Sequence, residues 1–268
     1  MQETGGTGLT PSEWLPRLKT QAFGRVYHYL PEVLSTNALA RELAQRGSPE
    51  GTLVVAESQT GGRGRLGRSW VSPPGGIWLS LLLRPSQDPA RAPLQTLLAA
   101  VALREALAAA EGLEAAIKWP NDLLIRGKKV AGILAEMGTG DGGLNYLVAG
   151  VGINANFPAN RLPEPLRGKA GTLQDLLGRP LERPRLLAAF LKTWEDCYHQ
   201  AAREGYEDIL KRWRRSSLTL GKRVSLDTGE GQVTGRALDI DERGGLVLET
   251  GRGRTRTFLA GEVTLLEG

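Results

Sequence analysis

The chain has one cysteine and two histidines in 268 residues. Cys197 alone excludes an internal disulfide and any cysteine metal cluster. With only His28 and His199 besides, neither a zinc site nor a histidine-based triad is expected. Aromatics are 6% of the residues and sit mostly in apolar stretches, too sparse for the stacking platform of a single-strand nucleic-acid binder. No apolar run approaches the roughly 20 residues of a membrane span. The opening MQETGGTGLTPSEW has neither the basic flank nor the apolar core of a signal peptide. These absences predict a cytoplasmic protein with no membrane partner. No internal repeat or low-complexity segment stands out.

What is present is arginine and glycine. The net charge is +5, from 34 basic and 29 acidic side chains. Such an excess suits an anionic substrate or an acidic partner and does not demand nucleic acid. Residues 61–70, GGRGRLGRSW, hold four glycines and three arginines. Glycine lets backbone approach a ligand, and arginine presents a fork to phosphate or carboxylate. The stretch reads as a mobile loop that closes on an anion. Gly62-x-Gly64-x-x-Gly67 spells a dinucleotide fingerprint, but Pro73 and Pro74 follow where a helix is required. As a P-loop it is one residue short, with arginine in place of lysine, and it lacks the same helix N-terminus.

Strands are expected over 25–30, 53–56, 76–83 and 144–156, and helices over 11–20, 38–46, 94–110, 183–202 and 205–215. Ser35-Thr36-Asn37 stands at a strand-to-helix junction, where it could cap the helix or face a polar ligand. Strand 76–83 is nearly all apolar and should be central, covered on both faces. Helix 94–110 shows an apolar stripe, Leu94, Leu97, Leu98 and Val101. The segment 117–136 contains Lys118-Trp-Pro-Asn-Asp122 and then Lys128-Lys129. It reads as a proline-broken hairpin returning Lys129 to Asn121 and Asp122. Gly150 and Gly152 inside an apolar strand mark close approach of backbone or ligand. From 222 onward, short strands and glycine turns make a small closed barrel. The boundary falls in 216–220, giving domains 1–217 and 218–268.

Five segments in order resemble a biotin protein ligase: Ser35-Thr-Asn37, residues 59–70 (QTGGRGRLGRSW), Lys118-Trp-Pro-Asn-Asp-Leu123, Lys129-Val-Ala-Gly-Ile-Leu134 and Gly150-Val-Gly-Ile-Asn154. The resemblance implies an α+β fold: a mixed sheet flanked by helices, of the class II aminoacyl-tRNA-synthetase-like or biotin–lipoate ligase type. It also implies a C-terminal SH3-like barrel. The implied reaction activates biotin with ATP, accompanied by Mg2+, as biotinyl-5′-AMP. The biotinyl group then passes to a lysine of a biotin carboxyl carrier protein. By the same carry-over Arg65, Lys129 and Asp122 are catalytic. Biotin falls to Ser35, Thr36, Asn37, Gln59, Arg63, Gly64, Arg65, Lys129, Gly132 and Gly150, the two last letting backbone lie against its ring. The nucleotide falls to Arg63, Arg65, Arg68, Trp70, Lys118, Asn121, Asp122, Lys129 and Asn154, with Trp70 covering the adenylate. No magnesium ligand is identified, and a homodimer is compatible with the sequence.

Two departures shape the expectation. Ser35 stands too early for the winged helix-turn-helix domain of relatives that also repress transcription, so a ligase without specific DNA binding is expected. Where some members place a tryptophan against adenine, this chain has Ala170. A lipoate–protein ligase or octanoyl transferase is the nearest rival, though a fatty chain needs no partner for Ser35, Asn37 or Gln59. An RNA-binding Arg/Gly loop is the rival from another class.

Overall fold

The computed structural model describes residues 8–85, 91–140 and 143–266; residues 267 and 268 of the expected C-terminal module lie outside them. The first part runs α1 (Pro11–Trp14), β1 (Tyr27–Val33), α2 (Thr36–Gln45), β2 (Leu53–Gln59), β3 (Ile77–Leu83) and α3 (Ala92–Glu111). There follow β4 (Ala116–Lys118), β5 (Asp122–Ile125), β6 (Lys128–Gly140), β7 (Gly143–Ile153), α4 (Leu173–Leu177), α5 (Arg183–Glu204) and α6 (Glu207–Arg215). Helix α1 is shorter than its expected span and passes into a 3-10 turn at Leu15–Arg17, where Pro16 cannot supply a helical N–H.

Strands β1 to β7 form one sheet in the order β1-β2-β3-β7-β6-β5-β4. Only β1 and β2 are parallel, and parallel neighbours need a crossover, which α2 supplies. Strand β3 lies between β2 and β7 with every residue buried, which explains a sequence that is apolar except at Ser80. Alternate residues serve opposite faces. Val54, Leu82 and Val148 meet Ala40 and Ala44 of α2. Leu53, Val55, Leu79, Leu81 and Leu83 join the larger core with α3 and α5. The sheet is therefore a wall with α2 on one side, and the α2 side is where polar residues and glycines gather.

By length and composition α3 is apolar enough to cross a membrane, although Gln95, Thr96, Arg104 and Glu105 interrupt its apolar residues. It is a core helix instead. Twelve of its 20 residues are buried, more than the expected stripe, because α5 and α6 pack on it as well as β6.

Strands β8 (Arg223–Asp227), β9 (Gln232–Ile240), β10 (Leu246–Thr250), β11 (Arg254–Phe258) and β12 (Glu262–Leu265) make an antiparallel sheet in the order β11-β10-β9-β8-β12. Val224, Leu226, Ala237, Ile240, Leu246, Leu248 and Val263 fill its interior. No ladder joins β11 to β12 among the described residues, so hydrogen bonds do not close the expected barrel at that seam. The module attaches along β4. Ile117 N–H donates to Ser216 O at 2.8 Å, and Leu218 N–H donates to Ile117 O at 2.8 Å. Trp119 donates from its main chain to Thr219 Oγ1 at 2.9 Å and from its indole to Gly244 O at 3.0 Å. The second module thus braces the turn that carries Asn121 and Asp122.

Candidate active site

The hairpin expected from sequence forms between β5 and β6. Arg126 and Gly127, the two residues between the strands, both have positive φ, 50° and 74°, as a type I′ hairpin turn requires. A bulge between Leu123 and Leu124 shifts the register. The Lys129 ammonium comes to 2.6 Å from Asp122 Oδ1. Asn121 continues the ladder: its main-chain O accepts from Ile133 N–H at 3.0 Å, and its side-chain amide donates to Ile133 O at 2.8 Å. Lys118 is the cross-strand partner of Asp122. The 169–171 segment brackets Lys129 from the far side: Lys129 N–H donates to Lys169 O and Gly171 N–H to Lys129 O, both at 2.9 Å.

A second cluster, polar and uncharged, stands at the start of α2. Ser35 caps the helix, its hydroxyl accepting from Ala38 N–H at 3.4 Å. Thr36 donates its N–H and its hydroxyl to Gln59 Oε1, at 2.9 and 3.1 Å. Gln59 in turn donates from Nε2 to Ser72 Oγ at 2.8 Å. Asn37 donates to Glu136 Oε2 at 2.6 Å, and Ser80 Oγ lies 2.6 Å from Asn37 Oδ1. Capping and ligand-facing geometry coexist here, so the two readings of Ser35-Thr36-Asn37 are compatible.

Between the clusters the floor is glycine. Gly150 pairs with Ser80 and Leu134, and Gly152 with Gly132. A Cβ at Gly150 would fall 2.0 Å from Asn37 Oδ1, and one at Gly152 would fall 2.5 Å from Trp70 Nε1. At Gly132 it would meet the Trp70 ring at 2.9 Å. Gly132 and Gly150, expected against the substrate ring, both border the cavity, and each also makes room for a side chain. Gly132 and Gly152 receive Trp70, and Gly150 receives Asn37. The indole lies on the floor with Lys129 Nζ 5.0 Å from its ring centroid, within cation–π range.

The 61–70 loop folds back on itself as a hairpin. Gly64 N–H donates to Arg68 O at 2.7 Å and Trp70 N–H to Gly62 O at 2.9 Å. At its tip Leu66 adopts φ 55°, ψ 34° and is 63% exposed. Arg65 reaches inward, donating to Asn121 Oδ1 at 3.4 Å. Burial pulls the Arg65 pKa down from the ordinary guanidinium value, with the Asp122 carboxylate opposing. Arg68 is exposed and pairs with Glu262 of β12.

The two clusters, the glycine floor and the loop meet at one cavity of about 220 Å³, and every candidate residue taken from the sequence borders it. Five cations line it, Arg63, Arg65, Arg68, Lys118 and Lys129, against two carboxylates, Asp122 and Glu262. Each carboxylate is paired with one cation, so three cations remain for a ligand. Asn154 borders the cavity but donates its amide to Gly171 O at 3.1 Å, which holds the segment bearing Ala170. Ala170 lines the wall beside Leu162 and Leu166, where the resemblance would place a tryptophan. Sequence reasoning missed Glu262 and the supporting Ser72, Ser80 and Glu136, and it marked Gly152 as a point of close approach without assigning it to a substrate. Gly152 and Glu136 carried a signal, as a glycine and an acid inside apolar strands. The others had none beyond tertiary proximity.

Two family profiles match the chain: the Biotin/lipoate A/B protein ligase family over residues 30–154 and the Biotin protein ligase C terminal domain over residues 219–266. The bifunctional ligase/repressor BirA of Bacillus spizizenii is 40% identical over 253 residues, covering 94% of this chain and 78% of that protein. The chain belongs to the biotin protein ligase family. The biotin–[acetyl-CoA-carboxylase] ligase of Paracoccus denitrificans is 36% identical, covering 82% of this chain and 92% of its own. Among solved structures, the biotin protein ligase from Aquifex aeolicus in complex with biotin and ATP aligns with a TM-score of 0.78 at 32% identity. That alignment covers 91% of this chain and 100% of the other. The mixed sheet flanked by helices, with its separate C-terminal antiparallel sheet, is thus the frame of a biotin protein ligase.

Proposed function

We propose that this cavity activates biotin with ATP as biotinyl-5′-AMP and then passes the biotinyl group to a lysine of an acceptor domain. One observation carries the reading: three kinds of surface succeed one another along β7. The neutral hydrogen-bonding cluster meets Gly150, the glycine floor with Trp70 follows at Gly152, and the Lys129–Asp122 pair lies beyond. Gly150 and Gly152 are about 6–7 Å apart at the usual strand rise. Biotin has the same succession, a ureido group, a weakly polar body and a carboxylate.

In the first step a carboxylate oxygen of biotin attacks the α-phosphorus. A new O–P bond forms, the bridging P–O bond breaks, and pyrophosphate leaves. Two anions must approach, and preset cations offset their repulsion and the charge building on phosphorus. Lys129 serves the carboxylate and α-phosphate, with Arg65 opposite and Lys118 and Arg63 toward the phosphates. Substrate anions compete with Asp122 for Lys129, so binding them frees the Asp122 carboxylate. In the second step the acceptor amine attacks the acyl carbon, the C–O bond to phosphate breaks and AMP leaves. Asp122 orients that lysine and receives its proton.

Magnesium accompanies the triphosphate. Among the described residues no group of three His, Cys, Asp or Glu could hold a metal. Magnesium commonly needs only one or two carboxylates beside phosphate oxygens, and Asp122 and Glu262 border the cavity. The acceptor belongs to a biotin-dependent carboxylase, in our reading its biotin carboxyl carrier protein. We read the setting as cytoplasmic, which the single buried cysteine suits. Incubating the chain with biotin, ATP and an acceptor domain tests the reading by mass spectrometry. A gain of one biotin on one acceptor lysine is expected; no gain with an acceptor that another ligase modifies would refute it.

A further inference from the structure

Asn37 is 6% exposed, and its orientation is set from outside the cavity. Its Nδ2 donates to Glu136 Oε2 at 2.6 Å and to Leu134 O at 3.3 Å. A carboxylate and a carbonyl only accept, so the NH2 end must face them and Oδ1 must face inward. Ser80 Oγ, within 2.6 Å of Asn37 Oδ1, also lies 2.8 Å from Thr36 Oγ1. Thr36 is itself committed to Gln59, and Gln59 to Ser72. One acceptor at the rim thus sets the polarity of the whole neutral cluster. Glu136 does not line the substrate cavity. It borders a neighbouring one of about 240 Å³ with Arg41, whose guanidinium is 3.6 Å from its other oxygen.

We infer that Glu136 is a positioning residue for biotin, locking the Asn37 amide with its oxygen turned to the substrate. The inference rests on the reading of the cavity given above. A ureido group brings two N–H donors, so the cluster must offer acceptors. Were Asn37 to turn over, NH2 would face N–H. A site built for hydrogen bonds discriminates strongly when one of them is left unmade. Because the effect concerns biotin alone, it separates from the chemistry on the far side of Trp70.

Biotin-dependent pyrophosphate release is measured at saturating ATP for wild type, Glu136→Leu and Glu136→Gln. Glu136→Leu removes the acceptor and is expected to raise the KM for biotin about tenfold, the scale of a buried polar group losing its partner. Its kcat and its KM for ATP should stay within about twofold. Glu136→Gln keeps an oxygen at the same reach and should restore the KM to within about threefold of wild type. If Glu136→Leu loses its cooperative melt, Glu136→Asp replaces it. That variant keeps the charge beside Arg41 but withdraws the acceptor by one methylene, and the same rise is expected. An unchanged KM in the acceptor-deficient variant, a Gln variant no better than it, or equal losses in kcat and in ATP binding would each overturn the inference. Wild type without biotin-dependent pyrophosphate release would instead refute the reading of the cavity, and this inference with it.

Discussion

The two ends of the cavity are built differently. At the neutral end Ser35, Thr36, Asn37 and Ser80 are buried and sit on helix or strand positions or at a cap, and Ser80 links Thr36 to Asn37. At the cationic end, Lys129 and Asp122 stand on a hairpin, while the arginines ride the 61–70 loop. That loop's described side-chain ties to the rest of the molecule include a 3.4 Å hydrogen bond from Arg65 and the exposed Arg68–Glu262 pair. The division follows from how the two recognitions work. Hydrogen bonds weaken steeply with misalignment, so ureido recognition needs a stiff frame. Coulomb attraction falls only as the inverse of distance, so a cation can act from a loop that must also let substrates in.

The largest expected loss comes from the hairpin. Lys129→Ala leaves carboxylate and α-phosphate facing each other with Asp122 unneutralised beside them. Adenylation should drop by roughly 10²–10³, the effect of losing one transition-state donor, with the melt nearly unchanged because Lys129 is partly exposed. Pyrophosphate release at the wild-type rate would remove Lys129 from the reaction. Next comes Gly150→Ala. Its Cβ would stand 2.0 Å from Asn37 Oδ1, and the bonds of Asn37 leave that oxygen nowhere to go. The KM for biotin should rise by roughly tenfold to a hundredfold, given about 1–3 kcal/mol for strain in a packed site. A tolerated alanine would show the neutral end to be softer than its bonds suggest.

How much of this could be read beforehand follows the same division. Ser35, Thr36, Asn37, Gln59, Arg65, Asn121, Asp122 and Lys129 were legible because polar or charged residues interrupt apolar strands at junctions and turns. The hairpin return of Lys129 to Asp122 was legible from Arg126-Gly127. The lack of a β11–β12 ladder among the described residues and the hydrogen bonds inside the 61–70 loop were not, since both depend on partners that local sequence does not name. The glycines of β7 signalled a close approach, but not that Trp70 would be what approaches Gly152. Glu136 meets Asn37 across 99 positions and Arg68 meets Glu262 across 194; only the fold joins them.

A smaller effect is expected from Arg65→Gly. It removes an inward cation and adds backbone freedom next to Leu66, while Lys118 and Lys129 stay. Adenylate formation should slow by about tenfold, at the lower edge of a lost charged contact. The anhydride must be kept from water and stray amines, and a loosened loop should release it sooner. Mixing the variant with biotin, ATP and an unrelated lysine-rich protein should therefore label that protein more than wild type does. Equal labelling with turnover intact would mean that the loop binds without gating.

The smallest effect sharpens the comparison most. Arg68 is 61% exposed and its partner Glu262 35%, so their attraction is screened, and exposed pairs measure about 0–1 kcal/mol. Yet this pair is a tie between the loop and the C-terminal module. A double-mutant cycle with Arg68→Ala and Glu262→Gln, read as adenylation rate, should give a coupling below about 1 kcal/mol that fades as salt shortens the Debye length. Each single change should cost less than about threefold in rate. That outcome leaves the loop held by its own backbone bonds and free of the second module. A coupling of several kcal/mol that survives high salt would mean the opposite. The arginine end would then be braced by β12 as firmly as the neutral end is braced by β6, and the contrast between a stiff frame and an adaptable loop would fail.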